Sequence, residues 1–523
     1  MLSEFAQFGR IARTGYVFAR EGVFRELDLH EVRGPLKLGI RLLRLVERRG
    51  PAATKGAPLA AALERLGPSY VKLGQFLATR PDVVGAVIAR DLETLQDRMA
   101  PFPQKIAEEI VARSLERPLA QLYSEFGPPV AAASIAQVHK AEVDDFGQKL
   151  PVAVKVLRPD VARRFARDLK AFYAIARQVE RFNPPVRRLR PVAVVDTLAR
   201  SVAFEMDLRL EAAALSEMGE NTKNDPGFRV PGIDWARTAK DVLTLEWIDG
   251  VPLNDHEGLR AAGHDLPALG RLLIQSFLRH AMRDGFFHAD MHPGNLFVDA
   301  AGNIVAVDLG ITGRLGPKEK RFLAEMLYGF IERDYRRVAE VHFRAGYVPA
   351  DQSVEEFARA LRSVGEPTHG RTAQEVSMAR LLTQLFEITE IFHMQTRPEL
   401  IMLQKTMVVV EGVARSLDPK LDMWSAAEPV VRDWITRYLG PIGKIEDAAE
   451  GAVELGLALT EVPELIQRTQ RLAANLEDMT VRGFPLDAQT VRNIGEAEAK
   501  RSRFGHLALW AIVGLLALFI VLR

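Results

Sequence analysis

At 523 residues the chain has room for two to four domains, and 48% hydrophobic with 26% charged residues describes a globular protein with a large core. A formal net charge of +1 gives no general polyanion-binding signal, so no nucleic-acid partner is expected. Cysteine is absent, which excludes disulfides, thiolate zinc sites and cysteine nucleophiles and fits a reducing compartment.

The first residues, Met1-Leu2-Ser3-Glu4, lack the charged and apolar regions of a signal peptide. Residues 1–125 read as a helical N-terminal extension. Within it, Leu38 to Arg49 alternates apolar and basic residues at helical spacing. Such a helix can lie on a membrane surface or pack on its own protein with the basic face outward. Gly67-Pro68 opens a further helix and Arg80-Pro81 closes it. Lys72, Gln75 and Thr79 fall near one face of that helix, a polar stripe that either is solvated or looks onto a site.

Near Pro129 the texture turns from helix to strand, and residues 126–250 read as a mixed lobe. Ala131-Ala132-Ala133-Ser134 is a run of small residues, followed by strand-like alternation to Val143 and a turn at Asp144 to Gly147. Val152-Ala153-Val154-Lys155-Val156 is a buried-strand pattern containing one lysine. Such a lysine ordinarily points to solvent; in a kinase-like V-A-x-K strand it contacts the α- and β-phosphates. Pro191 to Asn221 reads as one helix. On it Glu205, Leu208 and Ala212 share a face, and Asp207 and Glu211 stand at i,i+4 on another. Like charges so placed repel, so either a counter-charge lies nearby or the face is solvated. Leu243 to Gly250 reads as a strand ending in a hinge, with Glu246 a candidate cofactor-binding residue.

Residues 251–440 read as a helical lobe around one dense motif. An amphipathic helix from Pro267 to Asp284 delivers the chain to His288-Ala289-Asp290-Met291-His292-Pro293-Gly294-Asn295. A short strand, a turn at Ala301 to Asn303, a second strand and Asp308-Leu309-Gly310 follow. Asp290, Asn295 and Asp308 then converge at one end of a hairpin. Two carboxylates and a carboxamide are hard oxygen donors, suited to Mg²⁺ held together with phosphates. Phosphoryl transfer requires such a set, with one carboxylate to orient the nucleophile. The order H-x-D-x-x-x-x-N then D-x-G is that of kinases. His288 and His292 are four apart, but Pro293-Gly294 argues against the helix that a His metal pair would need. Residues 317 to about 440 read as helical and 441–505 as a charged helical linker. Residues 506–523 are a candidate transmembrane anchor: Leu507 to Leu522 carries no polar side chain, about 24 Å of helix at 1.5 Å per residue. Lys500-Arg501-Ser502-Arg503 marks its cytoplasmic flank. No internal repeat is visible.

Taken together, these residues resemble the UbiB/ADCK family of atypical kinases over roughly residues 30 to 440. Lys72-Leu73-Gly74-Gln75 matches the family's KxGQ signature, Ala131 to Ser134 its alanine-rich loop, and Glu205-Met206-Asp207 its ExD motif. The resemblance implies an α+β, protein-kinase-like two-lobed fold with a helical KxGQ extension and a C-terminal transmembrane helix. It implies ATP and Mg²⁺ as cofactors, with Asn295 and Asp308 on the metal, Lys155 paired with Glu211, and Asp290 as the catalytic-loop aspartate. Lys72 and Gln75 would cover the site as a lid, with Lys72 neutralising Glu205 and Asp207. The implied activity is an ATPase or kinase supporting ubiquinone biosynthesis at the cytoplasmic face of the inner membrane. Membrane lipid, polyprenyl-phenol or quinone intermediates and other ubiquinone-biosynthesis proteins are the implied partners. Departures from ordinary kinases have consequences. Alanines replace the glycines that let a backbone close over phosphates, Ala289 replaces an arginine, and no A-P-E segment follows Gly310. Two rival readings stand: a small-molecule phosphotransferase sharing the HxDxHPGN loop, and a nucleotide-switched lipid-binding scaffold without phosphotransfer.

Overall fold

A computed structural model describes residues 13–23, 58–78, 84–95, 99–145, 147–182, 190–369, 384, 387–389, 391–394 and 398–438. The predicted amphipathic segment 38–49, the linker 441–505, the apolar tail 506–523 and Thr79 lie outside the described residues. Among the described residues no helix is long and apolar enough to cross a membrane. The described residues up to Arg437 belong to one compact unit, and the site lies in it.

Helices α1 (Pro58–Leu66), α2 (Pro68–Ala78) and α3 (Ala86–Glu93) form the N-terminal extension. Gly67 joins the first two at φ +106°, a conformation that any side chain would strain. A Cβ on Gly74 would run into the side-chain tips of Leu63 and Leu95, so α2 seats closely against its neighbours. Helices α4 (Gln104–Ser114) and α5 (Leu119–Leu122) lead into β1 (Glu125–Ala132), β2 (Ala136–Asp145) and β3 (Gln148–Leu157). The strand texture thus begins four residues before Pro129. Pro128 and Pro129 sit inside β1, which tolerates them as an edge strand whose register slips there.

With β5 (Val242–Glu246) these strands make an antiparallel sheet of order β1-β2-β3-β5. Val152, Val154 and Val156 point from β3 into a core with Ala107, Ile110 and Val111 of α4. Each buried valine contributes about 1.5–3 kcal/mol. The two-residue period then obliges Ala153 and Lys155 to face the other way.

Two departures from the sequence reading follow β3. Helix α6 (Val161–Phe182), which that reading did not anticipate, packs along α7. The single helix read from Pro191 to Asn221 is two, α7 (Pro191–Glu205) and α8 (Leu208–Thr222). Asp207 is extended (φ −133°) and caps α8, its carboxylate accepting from the Arg209 N–H at 3.2 Å. The i,i+4 repulsion expected between Asp207 and Glu211 therefore does not exist, because only Glu211 is inside the helix.

Beyond β4 (Phe228–Arg229) and β6 (Gly250–Pro252) come α9 (His256–Ala261) and α10 (Leu266–Arg279). A π-helical turn, His280–Asp284, then releases the chain into β7 (Phe286–His288). Strands β8 (Leu296–Asp299) and β9 (Ile304–Ala306) form a hairpin in a second sheet of order β4-β9-β8-β6. After Gly310 the chain passes through Ile311 to Gly316 into a helix, and on the way forms β10 (Thr312–Arg314), which pairs antiparallel with β7. Helices α11 (Pro317–Ile331), α12 (Tyr335–Arg344), α13 (Val354–Gly365), α14 (Pro398–Leu417) and α15 (Met423–Tyr438) complete the unit.

Candidate active site

The centre of the site is Lys155. Its ammonium donates to both carboxylate oxygens of Glu211, at 2.7 and 2.9 Å, and to Asp308 at 2.8 Å. Strand, helix and post-hairpin loop thus meet on one cation. Burial works against the lysine's charge, but the two carboxylates outweigh it and push its pKa well up. Burial pushes the Glu211 carboxyl up to about 7, against the pull of Lys155. Burial opposes ionisation of Asp308 too, yet Lys155 and the Gly310 N–H hold it far below the usual carboxylate range. Asp308 is therefore the committed anion, and its side chain remains 40% exposed.

Asn295 closes the hairpin beside it. The Val307 N–H donates to the Asn295 carbonyl at 3.0 Å, so Asn295 lies across from the residue preceding Asp308. The Asn295 amide nitrogen donates to the Asp290 carbonyl at 3.2 Å, which leaves its amide oxygen as a donor atom for a cation. Asp290 is half-buried. Its N–H donates to His288 Nδ1 at 3.3 Å, and its carbonyl also receives the His292 N–H at 2.9 Å. Burial lowers the His288 pKa, so the ring is neutral and Nδ1 can accept. Asp290, Asn295 and Asp308 are in this way joined through short backbone links.

The extension reaches the same region through Lys72, whose ammonium lies 2.6 Å from Glu205, both side chains being nearly buried. Glu205 is close enough to raise the Glu211 pKa by its charge, which makes Lys72, Glu205, Glu211, Lys155 and Asp308 one chain of interacting charges. Asp207 is not in it. The guanidinium of Arg209 holds it at 2.6 and 2.9 Å and keeps its pKa low. The expectation that Lys72 neutralises both acids of the motif is corrected to Glu205 alone, because the cap turns Asp207 toward Arg209. Gln75 is on α2, one turn from Lys72 and partly exposed.

Ala131 and Ala132 end β1, and the turn proper is Ala133-Ser134-Ile135, closed by the Ala133 N–H on the Ala136 carbonyl at 2.8 Å. Arg158, not singled out in the sequence, donates to the Ala133 carbonyl at 2.8 Å and braces that turn. Ser134 is fully buried. Glu246 ends β5, where its carboxylate takes two 3.0 Å bonds from Arg229 and one of 3.1 Å from the Gly232 N–H. That carboxylate ties the two sheets, since Arg229 also donates to Asp299 on β8 at 3.0 Å. Sequence spacing carried no signal for either arginine.

Residues 94–342 match the ABC1 atypical kinase-like domain, and 361–422 match the UbiB helical domain. The Probable protein kinase UbiB of Marinobacter nauticus is 40% identical over 87% of this chain and 84% of that protein. Its namesake in Cronobacter sakazakii is 38% identical over 85% of this chain and 82% of that one. The chain belongs to the UbiB family. It is an atypical kinase-like enzyme. A third relative, from Klebsiella pneumoniae, is 36% identical over 92% of this chain and 88% of that one. The solved complex of Mycobacterium tuberculosis Rv3197 with erythromycin covers 78% of this chain at 24% identity and a TM-score of 0.49, a likeness that carries no functional argument. The kinase-like match of this UbiB-family chain contains Lys155, Glu205, Glu211, Asp290, Asn295 and Asp308, and begins after Lys72 and Gln75.

Proposed function

We propose that this protein binds Mg-ATP between two kinase-like lobes and hydrolyses it or transfers its γ-phosphoryl group, with α2 covering the site. The observation that carries the reading is the meeting of Lys155, Glu211 and Asp308 at 2.7 to 2.8 Å beside the loop bearing Asp290 and Asn295. Asp308 and the Asn295 amide oxygen are hard donors suited to Mg²⁺. Among the described residues no three His, Cys, Asp or Glu side chains form a metal cage. That suits an ion completed by phosphate oxygens and water rather than by protein alone. When bound, Mg²⁺ supplies neutralisation of the phosphate charge. Lys155 binds the α- and β-phosphates in this reading, and Glu211 keeps it aimed. Asp290 orients the nucleophile, whose oxygen bonds to the γ-phosphorus as the bond to the ADP oxygen breaks and whose proton leaves to the product phosphate or solvent. The biological setting rests on family membership and on the apolar tail. It is support of ubiquinone biosynthesis from the cytoplasmic face of the inner membrane, with the tail as anchor and membrane lipid, polyprenyl-phenol or quinone intermediates and other ubiquinone-biosynthesis proteins as partners.

The test is ATP turnover by the purified full chain, with Mg-ATP affinity measured alongside. Asp290→Asn is expected to keep nucleotide bound and slow turnover by about 10²–10⁴-fold. Asp308→Asn is expected to lose metal-dependent binding by about 100-fold. Undiminished turnover in the first variant removes Asp290 from the chemistry, and unchanged affinity in the second removes Asp308 from the metal. A deletion strain with normal ubiquinone would refute the pathway, and a chain ending at Ser502 that stays with membranes would refute the anchor.

A further inference from the structure

The peptide plane that enters Asp290 is gripped from an unexpected quarter. Its carbonyl belongs to Ala289, which is 4% exposed, and its N–H belongs to Asp290. The N–H end donates to His288 Nδ1 at 3.3 Å. The carbonyl end accepts from the hydroxyl of Thr406 at 3.1 Å, 117 residues further along the chain. Thr406 is fully buried on α14, inside the stretch that matches the UbiB helical domain. Its single hydroxyl proton has a second acceptor, the Met402 carbonyl at 2.9 Å. The two acceptors are not equivalent. Four residues earlier on the same helix, the Met402 carbonyl is already the acceptor of the Thr406 N–H. Among the described residues no backbone N–H is bonded to the Ala289 carbonyl. A buried carbonyl left without a donor is costly, so the hydroxyl has more to satisfy at Ala289.

The approach of α14 is itself built in. It packs along α10, where a Cβ on Gly270 would stand 3.0 Å from the Ala414 carbonyl. It also touches β10, whose pairing with β7 holds the other edge of the loop. The Ala289 N–H donates to the Ile311 carbonyl at 3.0 Å. The residue before Asp290 is thus held on its N–H side by the segment after Gly310 and on its carbonyl side by α14.

We infer that Thr406 is a positioning residue for Asp290: by fixing the Ala289–Asp290 peptide plane, it makes the seating of α14 a condition for correct aim of the catalytic aspartate. The inference rests on the role proposed for Asp290. Its reach is to give the helical domain a task in the reaction, since α14 bonds to the peptide plane entering Asp290 and, among the described residues, makes no hydrogen bond to Lys155 or Asp308.

The test compares Thr406→Val, which keeps the shape and removes the hydroxyl, with Thr406→Ser, which keeps the hydroxyl, in the full chain. Hydrogen exchange of the peptide spanning residues 286–292 reads the pinning directly. Steady-state ATP hydrolysis and Mg-ATP affinity read its consequence. Thr406→Val is expected to speed exchange at the Asp290 amide at least threefold and lower kcat about tenfold, with Mg-ATP affinity within twofold of wild type. Thr406→Ser is expected to restore both to within threefold. Unchanged exchange in Thr406→Val overturns the inference whatever the activity. Altered exchange with unchanged kcat overturns its catalytic half, as does equal loss in both variants. A wild type that turns over no ATP while exchange still responds to Thr406→Val defeats the proposed reaction and leaves the pinning in place. If Thr406→Val fails to fold, Thr406→Ala is read in its place by the same exchange and affinity criteria.

Discussion

Lys72 and Lys155 reach equally buried positions from opposite kinds of scaffold. Each side chain is 14% exposed, and each grips a glutamate at 2.6 or 2.7 Å, one from α7 and the next from α8. The strand lysine also holds Asp308, whose side chain is 40% exposed and can turn toward a cation. The helix lysine holds Glu205, 5% exposed and shut in. The first pair is therefore exchangeable and the second a latch. Buried charge by itself does not separate the two; the exposure of the acid does.

The comparison breaks most visibly at Lys155. Lys155→Met leaves the buried Glu211 beside Asp308 without a cation. Losing one partner of a buried pair costs about 3–5 kcal/mol, reduced here as Glu211 takes up a proton. We expect a large fall in the denaturant midpoint together with loss of nucleotide binding. A midpoint within experimental error of wild type would mean the lysine is not the hub of the charge chain.

The latch is expected to be weaker. In a double-mutant cycle of Lys72→Met and Glu205→Gln, the coupling energy should be about 1–3 kcal/mol, as for contacting residues. Strictly additive effects on stability would show that the 2.6 Å contact carries no energy.

The smallest effect is in pH. Glu211 holds its proton up to about 7 in the fold, against 4.5 ordinarily. Between those values the native state binds more protons than the unfolded chain. The contribution of this group is therefore full below about 4.5 and is lost as pH rises through about 7. Relative to Glu211→Gln, the wild type should be more stable at pH 5 than at pH 8. Melting curves of both proteins at the two values decide it; a gap that widens toward pH 8 has the wrong sign.

What the sequence disclosed follows from where each interaction is specified. Lys155 was legible because a two-residue period that buries Val152, Val154 and Val156 forces it onto the opposite face. Asn295 and Asp308 were legible because a short hairpin brings its two ends together. The break before Leu208 was not, since apolar periodicity runs through Met206, although an aspartate preceding Leu-Arg-Leu-Glu is itself a helix-start signal. The 22 residues of α6 carry no motif chemistry, but Val161, Phe165, Phe172 and Ala176 recur at helical spacing, so this helix is legible from periodicity alone. Arg158, Arg229 and Thr406 act on partners 17 to 117 residues away through hydroxyl or guanidinium geometry that only the folded chain displays.

Gly74 gives the KxGQ signature a second meaning. Its missing side chain is room already taken by Leu63 and Leu95, both buried, so Gly74→Ala overfills that joint. Overpacking of this kind costs about 1–3 kcal/mol and would lift α2, carrying Lys72 outward from Glu205. A genetic screen for lost activity would then file glycine and lysine together as catalytic, when one is a constraint of volume and the other of charge. Compensating changes separate them: a smaller residue at Leu63 or Leu95 should rescue the alanine and do nothing for a lost lysine.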